Sequence, residues 1–184
     1  ETRYVAHSAQ WRESTKKVYR DATDYIEQGV ASNPIMPWAV VMDLDQTVLN
    51  NIDYQIEMDK RGGEYSVGSW RAWVEERDAT MIPGAHDFIA KANALGGKVV
   101  FVTNRRDYEV KATEDNLAKF GIIKGRDYVA ILPREWSNGD EADKQARFAS
   151  VPDVLAAHGS PGRKVVAFFG DVEGDRYLTP DCAK

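Results

Sequence analysis

Trp11, Thr15, Val18, Ala22, Tyr25 and Ile26 fall at alternating steps of three and four along residues 8 to 29. That spacing predicts an amphipathic helix, ended by Gly29, Pro34 and Pro37. The pattern then changes. Trp38 to Met42 is an unbroken apolar run, as suits a short strand covered on both faces. From Asn50 to Met81 no single period holds. Gly62 and Gly63 split the segment, while Trp70, Trp73 and Val74 predict a short helix near 69 to 77. Pro83 and Gly84 close it, and a helix over about 85 to 95 ends at Gly96 and Gly97.

Lys98 to Thr103, rich in β-branched residues, reads as a second buried strand. A helix follows over 107 to 120, then a third strand over 128 to 132 before Pro133. Residues 140 to 158 read as one or two helices with Pro152 at a break. A fourth strand over 165 to 169 ends at Gly170 and Asp171. Strands alternating with helices predict an α/β fold: a Rossmann-like parallel sheet flanked by helices. Residues 1 to 184 read as one domain. The N-terminal helix and a small, cap-like helical insertion at about 52 to 81, after the first strand, are its attachments.

Composition narrows this only a little. A chain of 184 residues with 43% hydrophobic and 29% charged residues is ordinary for a globular domain. A net charge of -5 without a Lys/Arg cluster argues against a nucleic-acid polymer as partner. No apolar stretch approaches the length of a membrane span. Cys182 is the only cysteine, so no intrachain disulfide can form, and its thiol is expected to be inert. The sequence opens at Glu1 rather than Met, so a processed chain is expected, with its targeting segment removed.

The chemistry begins with Asp43-Leu44-Asp45-Gln46-Thr47, directly after the first strand. Residues i and i+2 of an extended segment point the same way, so Asp43 and Asp45 can face one site. Two adjacent buried carboxylates are costly without a cation, a proton or hydrogen-bond donors. Strand ends along one edge of a parallel sheet also bring together Thr103-Asn104-Arg105 and Asp171, with Lys144 at the start of a helix. Carboxylate oxygens suit Mg²⁺, and hydroxyl, ammonium and backbone N–H groups suit a phosphate dianion. Together they describe phosphoryl transfer. Blander readings stand beside this one. Thr103 could cap a turn, Lys144 competes with Lys164 and Lys124, and Asp175 could be a turn acid. Trp70 and Trp73, three apart, fit core packing as well as substrate stacking.

These motifs resemble the haloacid dehalogenase (HAD) superfamily of phosphohydrolases, and within it the class C (type IIIB) acid phosphatases. The carriers are Asp43 to Asn51, Phe101 to Arg105, Pro83-Gly84-Ala85, Asp143 to Arg147, and Phe169-Gly170-Asp171 with Asp175. Ser69 to Val74 and the helical N-terminus are also similar. Gln46 and Asn50 depart from the usual Glu and Asp of that first motif, and Val172 and Arg176 depart around the acidic one.

The resemblance implies a HAD-like fold and a Mg²⁺-dependent acid phosphatase acting on small phosphomonoesters, nucleoside monophosphates among them. It implies Asp43 as nucleophile and Asp45 as general acid and base. Thr103, Asn104 and Lys144 would bind the phosphoryl group. Mg²⁺ would be held by Asp43, the backbone carbonyl of Asp45, Asp171 and Asp175. It also implies a periplasmic, secreted or outer-membrane lipoprotein, with any lipid anchor upstream of this chain. The insertion, through Tyr54, Tyr65 and Trp70, is expected to set substrate choice. Three other readings compete: another phosphotransferase of the same superfamily, such as a phosphomutase, which product analysis would separate, and two of different class, a catalytically inactive HAD-like binding or storage protein and a phosphoryl-receiver signalling domain. The presence of Asp43 speaks against the inactive protein, and both carboxylates standing in the first motif speak against the receiver domain.

Overall fold

A computed structural model describes residues 8–136 and 141–178. His7 and Cys182 lie outside the described residues. A long helix, α1 (Ala9–Ser32), opens the fold, with Ser8 accepting the Trp11 N–H as its N-cap. Strand β1 (Trp38–Met42) follows, then β2 (Leu49–Asn50), α2 (Ile52–Arg61), α3 (Val67–Glu76) and β3 (Thr80–Met81). The chain continues through α4 (Ala85–Ala94), β4 (Lys98–Arg106), a 3₁₀ turn at Asp107–Glu109 and α5 (Val110–Lys119). Strand β5 (Ile131–Arg134), α6 (Gln145–Ala157), β6 (Lys164–Phe169) and a 3₁₀ turn at Glu173–Asp175 complete it.

Among the described residues, β5, β4, β1 and β6 lie side by side in that order, all parallel. Strand β1 is central and buried throughout. Its alternation splits the core: Val40 and Met42 face one cluster with Phe88 and Ile89 of α4, while Ala39 and Val41 face another with Phe148, Val151 and Leu155 of α6. Helices therefore cover both faces of a parallel α/β sheet, as the alternating pattern predicts. Gly97 lets the chain pass Trp38, whose ring occupies the space a Cβ would need.

Two local expectations are corrected, and two further elements are added. Pro152 does not break α6: Phe148, Val151 and Leu155 are buried together, so packing holds the turns on either side of the proline. The third strand begins later than expected and includes Pro133, which an edge strand tolerates because one side needs no N–H. Helix α2 escapes periodicity because it buries only Ile52 and Tyr54. It ends at Gly62, in the left-handed region at φ 59°. Strands β2 and β3, two residues each, pair antiparallel and close the base of the insertion.

The insertion docks through specific contacts. Asn116 of α5 accepts the Ala79 N–H and donates to the Ala79 carbonyl, at 3.1 and 2.9 Å. Arg71 lies over the Tyr108 ring at 4.8 Å. On the opposite flank the Tyr19 hydroxyl of α1 donates to the Thr47 carbonyl at 2.6 Å, bracing the loop after β1.

Candidate active site

The ends of β1 and β6 are joined where the chemistry sits. The Asp43 N–H donates to the Phe169 carbonyl at 2.9 Å, which sets Asp43 beside the turn carrying Asp171 and Asp175. Gly170 makes that turn feasible. A Cβ there would overlap the Asp175 side chain, so only glycine lets the acidic loop fold back under the strand end. One oxygen from each of Asp43, Asp171 and Asp175 lies within 4.8 Å of the others. Asp43 and Asp175 are buried and Asp171 is exposed.

Lys144, preceding α6, reaches into this cluster with only 5% of its surface exposed. Its Nζ donates to Asp43 Oδ1 at 2.6 Å and also to Asp175 Oδ1. Burial pushes the Asp43 carboxyl up to about 7. Lys144 opposes that rise, and the nearby Asp45 and Asp175 charges add to it. The Asp171 carboxyl is raised too, by desolvation first and then by Asp175. Three convergent carboxylates are a donor set that fits a hard divalent cation, which would relieve their mutual repulsion.

Asp45 takes a different path. Its carboxylate is not one of the three clustered groups; it accepts a fork from Arg105. Nε lies 3.0 and 3.3 Å from Oδ1 and Oδ2, and Nη2 lies 2.8 Å from Oδ1. Asn51 donates to the same Oδ1 at 2.9 Å. Gln46 supports Asn51, its side-chain oxygen accepting the Asn51 N–H at 2.8 Å. Gln46 itself stands in the left-handed region at φ 58°. The two carboxylates of the first motif therefore serve neighbouring but distinct environments.

Thr103 is fully buried at the site edge, and its hydroxyl accepts the Arg105 N–H at 3.1 Å. Asn104 is exposed, its Oδ1 accepting from Arg147 Nη2 at 2.7 Å. Arg147 also donates to the carbonyls of Thr103, Ala142 and Asp143. It thus ties the Lys144 turn to the end of β4. Of the competing lysines, Lys124 pairs with Glu114 at the surface and Lys164 is exposed at the start of β6. Sequence reasoning gave Asn51, Arg147 and Gly170 no role of their own and named Arg105 at its strand end without a chemical role. A clue was present for Arg105 alone, two residues beyond Thr103 on the same strand.

The aromatic residues of the insertion require a correction. Tyr54 and Trp70 are 1% and 9% exposed, so neither ring offers a face to a substrate. Tyr54, Trp70 and Trp73 pack together, with ring centroids 5.1 to 5.8 Å apart. Tyr65, at 60% exposure, is the one of the three proposed stackers left open to solvent.

The parallel sheet with this acidic cluster at its strand ends has the HAD-like acid phosphatase fold. The class C acid phosphatase from Bacillus anthracis superposes with a TM-score of 0.82 at 23% identity, covering 97% of this chain and 70% of that one. A second structure of that enzyme gives a TM-score of 0.81 at 23% identity, covering 95% and 68%. In sequence, the Stem 31 kDa glycoprotein of Glycine max is 31% identical over 122 residues, 66% of this chain but only 46% of that protein. The family model for HAD superfamily, subfamily IIIB (acid phosphatase) matches residues 1–175, and the chain belongs to that family.

Proposed function

We propose that this chain is a Mg²⁺-dependent acid phosphatase that hydrolyses small phosphomonoesters through an aspartyl-phosphate on Asp43. The observation carrying the reading is the convergence of Asp43, Asp171 and Asp175 with the buried Lys144. Family membership supports the reaction class and a divalent metal. Tungstate, a tetrahedral oxyanion, is bound in one of the Bacillus anthracis structures, and the ligand proposed here is of that shape.

Asp43, Asp171, Asp175 and the Asp45 carbonyl would hold the metal. Bound there, it would offset the repulsion between an anionic phosphate and an anionic nucleophile. An Asp43 carboxylate oxygen attacks phosphorus, a P–O bond to Asp43 forms, and the P–O bond to the leaving group breaks. Asp45 gives its proton to the departing oxygen. It then takes a proton from the water that attacks the phosphoaspartate, releasing phosphate and regenerating Asp43. Thr103, Asn104 and Lys144 bind and orient the phosphoryl oxygens.

The inserted segment, residues 52 to 81, acts as a small cap over this edge, and Tyr65 is its remaining candidate for leaving-group contact. Among the described residues no helix is long and apolar enough to cross a membrane. A location outside the cytoplasm belongs to the same proposal. The test is phosphate release from a panel of phosphomonoesters, in chelator and with Mg²⁺ restored. Release that depends on Mg²⁺ and is lost in Asp43→Asn is expected, and undiminished release after chelation would sink the metal assignment.

A further inference from the structure

We infer that Arg105 is the positioning residue for Asp45, and that Asp45 carries its transferable proton on Oδ2. This rests on the phosphatase reading above and adds to it. Asp45 Oδ1 already accepts from Arg105 Nε, Arg105 Nη2 and Asn51 Nδ2, at 3.0, 2.8 and 2.9 Å. A carboxylate oxygen with three donors has no lone pair left for a proton. Among the described residues, Oδ2 has the longer 3.3 Å contact with Nε alone. The Asp45 side chain is 24% exposed while that of Arg105 is 1% exposed. The donors thus crowd Oδ1 and leave Oδ2 the freer oxygen of a partly exposed carboxylate.

The guanidinium is held from several sides. Its Nη1 donates to Thr113 Oγ1 at 3.1 Å, and Thr113 in turn donates to the Glu109 carbonyl at 2.9 Å. Trp70 and Trp73 of the insertion lie with their rings 5.6 and 5.9 Å from its Cζ. A planar fork fixed in this way sets the plane of the carboxylate it grips, which a point-charge ammonium cannot do. The buried tryptophans therefore pack against the guanidinium that grips Asp45. In the first step the O–H bond at Oδ2 breaks as its proton passes to the leaving oxygen. The P–O bond to that oxygen breaks while the bond to Asp43 forms.

A misaimed acid hurts poor leaving groups and spares good ones, because a stable leaving anion needs no proton. The test compares kcat/KM for ethyl phosphate and 4-nitrophenyl phosphate with Mg²⁺ present, in wild type, Arg105→Lys, Arg105→Met and Thr113→Val. Arg105→Met is expected to lose about 100-fold on the ethyl ester and under about 5-fold on the nitrophenyl ester. Arg105→Lys and Thr113→Val should move the ratio the same way by less, and they decide the matter if Arg105→Met does not fold. In an Asp45→Asn background, Arg105→Lys should leave the ratio unchanged. Equal losses on both esters in an active wild type, or a further change of ratio beside Asp45→Asn, would overturn this inference alone. A wild type inactive on both esters would remove the phosphatase reading, and this inference with it.

Discussion

Replacing Asp43 by Asn should make the chelated protein more resistant to unfolding as pH rises, and the size of the effect follows from the site. Asp43 is 6% exposed, and its carboxyl is pushed up to about 7 from 3.8, by burial first. A carboxyl with a raised pKa in the folded state binds its proton more tightly there than in the unfolded chain. Its contribution to stability is therefore complete below about pH 4 and is lost as pH rises through 7. From pH 5 to 7 that is about two units at about 1.4 kcal/mol each, or about 3 kcal/mol. The Lys144 ammonium beside Asp43 opposes the rise, so this figure is a ceiling. For a chain of this size about 1 kcal/mol moves Tm by about 2–4 °C.

The assay is a thermal melt by circular dichroism in chelator at pH 5, 6, 7 and 7.5, on wild type and Asp43→Asn. Asparagine keeps the shape and removes the charge, while titrations elsewhere are common to both proteins and cancel in the difference. The Tm of the variant relative to wild type should climb by up to about 6–12 °C between pH 5 and 7.5. Millimolar Mg²⁺ should raise the wild-type Tm at pH 7.5, hardly at all at pH 5, and should do little for the variant. A Tm difference that is the same at both ends of the pH range would refute the reasoning, because it would mean that Asp43 titrates alike in the folded and unfolded chains.

Lys144→Met leaves two buried carboxylates without their cation. It should cost about 3–5 kcal/mol by urea denaturation above pH 7, and less below pH 5 where protons replace the lysine. Gly170→Ala forces a Cβ into Asp175, so calorimetric Mg²⁺ affinity should fall by at least about 10-fold through loss of the carboxylate cluster. Tyr19→Phe keeps the ring stacked on Phe169 but strands the Thr47 carbonyl, which should lower the unfolding free energy by about 1 kcal/mol, read as a lower urea midpoint at an unchanged m-value. Trp70→Ala should cost about 3–5 kcal/mol as a core truncation, whereas Tyr65→Ala should stay within about 0.5 kcal/mol, both read from the same urea series.

The parts of the fold that were legible in the sequence are those where one face or both must be dry. Strands β1 and β4 show as apolar runs because helices cover them on both sides, and the half-buried edge strand β6 sets apolar residues against both core clusters. Helix α1 shows as a stripe because one side of it meets α4 and Phe169 of β6. Helix α2 did not show, since its burial rests on Ile52 and Tyr54 and its other residues are exposed or half-buried. The proline at 152 misled for a related reason. Local propensity describes a helix by itself, while three buried side chains along α6 decide what the folded chain tolerates.

At the site, what sequence pattern can read is spacing along one strand, and what it cannot read is which partner each side chain finds across the sheet. Asp43 and Asp45 share a direction by alternation, yet 101 residues separate Asp43 from Lys144, and 60 separate Asp45 from Arg105. Those two long-range pairings give the twin carboxylates their different environments. An ammonium from the α6 turn meets a buried, crowded Asp43, and a guanidinium from β4 meets a half-open Asp45. In the proposed reaction, two identical side chains two residues apart take up different chemistry, one as nucleophile and the other as proton carrier. The difference resides in the strands and helices that approach them from either side, with Gly170 on one flank and the tryptophans of the insertion on the other.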